Sequence, residues 1–204
     1  MLRNLFSRRM ATVAACLLFS ASTTVMAAET PPNPRISDNV AIPEIQQLGD
    51  ETLKLNGFGT RTRAVFGRTY IAGLYLPRTS VNSADVFVRP GAKRLWIHLL
   101  RELTASEFAG GFEPAFIASN PELDDATRAA FHDLVRILPA TISDESNIYI
   151  DFLDADVVRV TVNDEVLGEI REQGFGDELL RAWLGKEPVQ ENLKKRLLSI
   201  IPPN

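Results

Sequence analysis

The polar and apolar positions fall into runs of period two separated by runs of helical period. Leu53, Leu55, Gly57, Gly59 and Arg61 alternate with Lys54, Asn56, Phe58, Thr60 and Thr62, which predicts a strand. Ala64 to Leu76 is rich in β-branched, aromatic and small residues and predicts a second strand, with Gly67 marking a turn or bulge near its start. Arg94 to Arg101 reads as a third. The period then changes. Thr104 and Glu107 have capping-box spacing and open a helical stretch running to about Ser119. Asp124 to Ile137 predicts another helix, with Ala126, Ala130, Phe131, Leu134 and Ile137 on one side. Strands return at Asn147 to Leu153, Val157 to Val162 and Val166 to Glu172, with Asn163-Asp164 as the hairpin turn between the last two. Helices over Gly176 to Leu184 and Gln190 to Ile200 close the chain. Strands in runs and helices in pairs define an α+β pattern rather than alternating βαβ units.

The N-terminus follows a different logic. Arg3, Arg8 and Arg9 precede an apolar run from Met10 to Phe19, and Val25-Met26-Ala27 offers small or apolar residues for a peptidase. This is the layout of a cleavable signal peptide over residues 1–27, and it predicts an exported, periplasmic protein. A stable membrane anchor is not expected, because Ser20, Ser22, Thr23 and Thr24 interrupt the run short of the roughly 20 apolar residues a span requires. Lipidation at Cys16 is a weaker alternative, since only Met10 to Ala15 would remain as the apolar segment. Residues 28–41, with Pro31, Pro32 and Pro34, read as a flexible linker, and residues 42–204 as one domain.

Composition narrows the chemistry. Cys16 is the single cysteine, so removal of the signal leaves no thiol for a disulfide, a nucleophile or a thiolate metal site. Loss of Arg3, Arg8 and Arg9 takes the formal charge from −4 to −7. Such an acidic chain is poorly suited to nucleic acid or to an anionic membrane. No cofactor or metal is expected. Asp151, Asp154 and Asp156 lack the glycine and distal glutamate of a calcium loop. Gly57-Phe58-Gly59 is followed by Thr62 where a dinucleotide fingerprint needs glycine. His132 and Asp133 are adjacent and do not share a helix face, and His98 reads as a packed or rim histidine beside Trp96.

Three polar residues sit among apolar ones of their own parity: Arg61 with Leu53 and Leu55, Tyr70 with Leu74 and Leu76, and Arg101 with Leu95, Ile97 and Leu99. A cation on an apolar face needs a partner. A ligand carboxylate suits a guanidinium fork with a phenol as second donor. An internal acid such as Glu102 or Glu107, or a place at the sheet rim, is the structural alternative for the arginines.

The order of several short motifs carries a resemblance. Leu53-x-Leu55-x-Gly57-x-Gly59-x-Arg61 leads to Ala72-Gly73-Leu74-Tyr75-Leu76, followed far downstream by Phe175, Trp183-Leu184-Gly185, Pro188, Leu193-Lys194 and Leu197-Leu198. The succession, over roughly Ile42 to Ile200, resembles the chalcone isomerase-like family, in its exported bacterial branch. The resemblance implies an open-faced β-sandwich, a large antiparallel sheet with helices packed on one face and a ligand cleft between them. It places the family's substrate-binding arginine at Arg61, its threonine at Tyr70, its lysine at Arg101, its tyrosine at Phe108, its asparagine near Ala115 and its threonine or serine at Gly176. Phe108, Ala115 and Gly176 lack the side-chain hydrogen bonds of those positions, which argues against chalcone isomerisation. The fatty-acid-binding members are more similar, holding a carboxylate with an Arg and a Tyr that match Arg61 and Tyr70. The resemblance therefore implies a binder of a fatty acid or similar apolar carboxylate, with Arg61, Tyr70, Arg101 and Phe108 at the ligand. An isomerase or lyase using Arg61 to stabilise an enolate or phenolate, and a non-catalytic scaffold protein, are the alternatives.

Overall fold

The computed structural model describes residues 35–64 and 67–199, so the expected signal peptide lies outside the described residues. The chain opens with three short strands, β1 (Arg35–Ser37), β2 (Val40–Ile42) and β3 (Ile45–Leu48), before the long strands β4 (Glu51–Arg63) and β5 (Gly67–Leu76). A short helix α1 (Ser83–Val88) precedes β6 (Lys93–Leu99) and β7 (Leu103–Thr104). Helices α2 (Ala105–Gly110), α3 (Glu113–Ser119) and α4 (Asp125–Ile137) follow, then strands β8 (Thr141–Ile142), β9 (Asn147–Phe152), β10 (Val157–Val162) and β11 (Glu165–Arg171). The last described elements are α5 (Phe175–Leu184) and α6 (Glu191–Leu197).

Seven strands form one curled antiparallel sheet in the order β11-β10-β9-β6-β5-β4-β3. Because strand side chains alternate between faces, the sheet separates two apolar cores. Tyr70, Ala72, Leu74, Leu95, Ile97 and Leu99 face the helices, together with the aromatic residues of α2–α5. Leu53, Leu55, Ile71, Tyr75 and Trp96 face the other way, where Ile42 packs on them. The helices thus cover one face, as the α+β pattern predicts. No helix among the described residues is long and apolar enough to cross a membrane.

Local chemistry sets the boundaries. Thr104 caps α2 through Glu107 N–H (3.1 Å), and the Glu107 carboxylate returns to Thr104 N–H (2.9 Å), the capping box read from sequence. The expected single helix to Ser119 is two, broken at Gly111 and Phe112, with Pro114 in the first turn of α3. Asp124 caps α4 by accepting from Thr127 N–H at 2.7 Å. Within the stretch expected to be a flexible linker, Arg35–Ser37 pairs with Val40–Ile42 across a turn whose Asp38 and Asn39 adopt positive φ, and Ile42 is buried. Asp and Asn tolerate that region better than other side chains, which makes so short a hairpin possible.

One irregularity in β4 decides what the sheet presents to the helices. Leu55 pairs with Tyr75 but Gly57 pairs with Leu74, so Asn56 is an extra residue, a β-bulge. The bulge reverses parity. Leu53 and Leu55 lie on the outer face, whereas Gly57, Gly59 and Arg61 lie on the helix face. The parity that grouped Arg61 with Leu53 and Leu55 is therefore corrected: Arg61 belongs with Tyr70. Asn56 is buried, its Nδ2 donating to Ser80 O (2.9 Å) and Leu197 O (2.7 Å) while its Oδ1 accepts from Ser80 N–H (2.6 Å). The two glycines let α6 lie against the strand. A Cβ at Gly57 would stand 2.1 Å from Arg196 O, and one at Gly59 would stand 2.8 Å from Arg196 Cβ.

Gly57→Ala is accordingly expected to lower stability by about 1–3 kcal/mol or more, the scale of an overpacked core, because backbone rather than a mobile side chain must yield. Gly110→Ala, where nothing lies within 4 Å, is the control. Urea midpoints of the two variants check this, and equal midpoints would remove the close-approach argument.

Candidate functional site

The bulge and the cross-strand register bring two of the sequence-predicted residues together. Arg61 and Tyr70 are directly opposed in the β4–β5 ladder, and both face the helices. The Tyr70 ring is 5 % exposed. Its phenol oxygen accepts from Trp183 Nε1–H at 3.2 Å, and the Arg61 guanidinium acts on it electrostatically from the neighbouring strand. Indole and guanidinium nitrogens are donors only. The phenol oxygen thus accepts from the indole, and its own proton meets no acceptor among the described residues.

Arg61 is also a clamp. Its Nη1 donates to Val189 O at 2.5 Å and to Gln190 Oε1 at 3.4 Å, and its Nη2 donates to Gly111 O at 3.3 Å. One side chain thereby ties β4 to the α2–α3 junction and to the α5–α6 loop. The internal partner is neither Glu102 nor Glu107 but backbone carbonyl oxygen at a break between helices, and Glu107 is engaged in its capping box. Burial lowers the Arg61 pKa, and the Tyr70 phenol opposes that shift. Burial raises the Tyr70 pKa, and Arg61 and Trp183 pull it back.

The other predicted residues take different places. Arg101 lies two residues past the end of β6, so the strand is shorter than expected, and the charge of Arg101 acts on Glu107 as that of Arg63 does. Phe108 is buried with its ring edge-on to Phe112 at 5.4 Å, a core position. Gly176 is fixed by packing. Its N–H donates to Ala155 O at 2.8 Å, and a Cβ would stand 2.8 Å from Asp154 O. A threonine or serine has no room there. Ala115 lines an open groove of ≈ 360 Å³ that begins at Arg61 and runs past Arg63, Gly110, Pro114 and Pro188.

Behind Tyr70 the space between sheet and helices is occupied by rings. Phe112 meets Trp183 at 4.8 Å and Phe131 at 5.7 Å, and Phe116 stacks on Phe131 at 4.8 Å. The cleft expected between sheet and helices is therefore closed by aromatic packing at this point, and the open groove lies outside it, at Arg61. Trp183 was missed as a site residue from sequence. An indole in a helix that packs on a sheet needs an acceptor, and Tyr70 was the phenol already singled out.

The remaining candidates have structural partners. His98 Nδ1 lies 3.0 Å from Asn147 Oδ1, which also accepts from Trp96 Nε1 at 2.8 Å. Asp133 pairs with Arg136 at 2.8 Å, apart from any dyad with His132. Asp151 forms a two-pronged ion pair with Arg94 (2.5 and 2.9 Å), while Asp154 and Asp156 accept backbone N–H bonds in an exposed turn. Among the described residues no cluster of three or more metal-ligating side chains occurs.

A curled antiparallel sheet with helices packed on one face defines the fold class. The family model described as chalcone isomerase-like matches residues 36–199, and the chain belongs to that family. Among solved structures, the Arabidopsis thaliana fatty-acid binding protein AtFAP1 is similar with a TM-score of 0.63 and 14% identity, over 78% of this chain and 92% of that one. At that identity the likeness is one of fold. No curated protein sequence matches the chain.

The three tyrosines give a pH prediction. Burial raises the phenol pKa of Tyr70, Tyr75 and Tyr149 above the ordinary value near 10. The native state therefore holds these protons more tightly than the unfolded chain. That contribution is complete below about pH 10 and is lost as pH rises toward the folded-state values. Tyrosinate absorbance at 295 nm should stay low in the native protein at pH 10 and develop near pH 10 in urea. One phenol ionising at or below pH 10 in folded protein would contradict the burial argument.

Proposed function

We propose that this chain is an exported, non-catalytic binder of an apolar carboxylate such as a fatty acid, with the carboxylate held by Arg61 and Tyr70. The observation that carries the reading is the buried phenol that accepts from Trp183, stands directly opposite Arg61 and has its own proton to give. Such a group satisfies a carboxylate oxygen without costing an existing hydrogen bond, and the adjacent guanidinium supplies the charge. The fold likeness to a protein titled as fatty-acid binding supports the same reading. The acyl chain enters along the groove at Gly110, Pro114 and Ala115, and deeper binding requires the aromatic cluster of α2, α3 and α5 to open. Arg101 then acts as a supporting charge and Phe108 as part of the apolar wall.

A second reading has an observation of its own. The rings behind Tyr70 are packed as a core, and the bonds of Arg61 to Val189 O and Gly111 O close the sheet–helix seam, which favours a scaffold protein. An isomerase that stabilises an enolate or phenolate on Arg61 is less well supported, because Phe108, Ala115 and Gly176 supply no groups to orient water or a second ring.

Calorimetric titration of a long-chain fatty acid into delipidated protein separates these readings. Wild type binds, Arg61→Ala binds about 1.5–3 kcal/mol more weakly, and Tyr70→Phe about 0.5–1.5 kcal/mol more weakly. Arg61→Lys does not restore full affinity, because a point charge cannot reproduce the planar fork. Circular dichroism confirms that each variant is folded. Absence of binding by wild type, or wild-type affinity in Arg61→Ala, leaves the scaffold reading.

Export rests on the basic and apolar layout of residues 1–27. The mature form is expected to begin at Ala28 or Glu29 without lipid. Intact mass of the exported protein checks this, and a diacylated Cys16 at its N-terminus would overturn it.

A further inference from the structure

A second polar group is buried on the helix face, far along the sheet from Arg61. Lys93 opens β6 and is 6 % exposed, on the same face as Leu95 and Ile97. Its ammonium makes no hydrogen bond, and no carboxylate oxygen lies within 4.0 Å of it among the described residues. Asp177, in the first turn of α5, feels its field without reaching that distance, and burial pushes the Asp177 carboxyl up while Lys93 and Arg181 draw it down. The Lys93 Nζ is not cut off from solvent: it reaches water through the pocket it lines, where a ligand anion would replace that water.

Lys93 lines a pocket of ≈ 140 Å³ whose apolar walls are Leu76, Pro77, Val86 and Pro90. Arg78 and Arg89 also line it. Arg89 is already committed, donating to Asp85 at 2.8 Å and to Thr79 O at 3.3 Å. The charged groups around it are thus Lys93, Arg78 and Arg89, with Asp85 paired to Arg89, Asp177 and Arg181 on α5, and the Glu51 carboxylate beside Gly91, which accepts from Ala92 N–H at 3.1 Å.

We infer that this pocket is a second, independent binding site for a short-chain carboxylate, whose charged end is held by the Lys93 ammonium and whose carbon chain lies against Leu76, Val86 and Pro90. The apolar walls select a monoanion with a hydrocarbon part over a phosphate, which needs donors on several sides. The nearby Asp177 carboxylate further disfavours a dianion. Nothing in this assignment uses Arg61 or Tyr70, so it stands or falls separately from the proposed fatty-acid site.

Thermal unfolding with increasing sodium butyrate, against sodium chloride and sodium phosphate at matched ionic strength, tests the assignment. Wild type and Arg61→Ala should show the same saturable rise in melting temperature with butyrate. In Lys93→Met, which replaces the ammonium by an apolar chain of similar length, the midpoint concentration should rise at least tenfold. The Lys93 ammonium resonance of wild type, followed by 1H–15N NMR, should move along the same curve and needs no variant. No butyrate response in wild type, an equal response in Lys93→Met, an unmoved Lys93 resonance, or a larger response to phosphate than to butyrate would overturn it.

Discussion

The bulge at Asn56 is the constraint on which this fold turns. One extra residue in β4 lets a single strand serve both cores, sending Leu53 and Leu55 outward and Gly57, Gly59 and Arg61 toward the helices. The bulged side chain is buried, with its amide satisfied by Ser80 and by the carbonyl at the end of α6. An unpaired amide there would cost about 1–3 kcal/mol. The same residue that breaks the ladder thus anchors the helix which the following glycines admit.

What lies beyond the bulge is a seam between sheet and helices closed by polar bonds as well as by rings. Arg61 satisfies carbonyls at two places where helical backbone is interrupted, and such carbonyls lack intrahelical partners. The guanidinium fork suits this task because its donors point in different directions from one rigid plane. Tyr70 and Trp183 complete the seam from either side. Under the proposed carboxylate binding, structural closure and ligand capture would draw on the same donors, which would link binding at Arg61 to loosening of the α2–α3 turn.

The helix and strand pattern was legible wherever elements were long. Alternation in β4, the β-branched and aromatic content of β5, the capping box at Thr104 and the start of a helix at Asp124 were all visible in sequence, as was the turn at Asn163, which adopts positive φ. Short elements escaped. Strands β1 to β3 have three or four residues each and α1 has six, too few to establish a period. The face of Arg61 was misassigned because period-two reading assumes an unbroken ladder, and nothing in Leu55-Asn56-Gly57 announces an extra residue. Arg61 and Tyr70 were nonetheless both singled out, since a polar side chain among apolar neighbours is visible without knowledge of the face. Their partners were not, because the carbonyls of Gly111 and Val189 are backbone atoms that reach Arg61 only through tertiary packing.

The two tryptophans sit on opposite faces of the sheet and report on that geometry directly. Trp183 donates to Tyr70 on the helix face, whereas Trp96 donates to Asn147 on the outer face. Their indole N–H resonances are separable in a 1H–15N spectrum of wild type and of Arg61→Ala. If the bulge turns Arg61 toward the helices, the Trp183 resonance shifts on loss of the guanidinium and the Trp96 resonance stays in place. A shifted Trp96 beside an unmoved Trp183 would put Arg61 on the outer face and contradict the account.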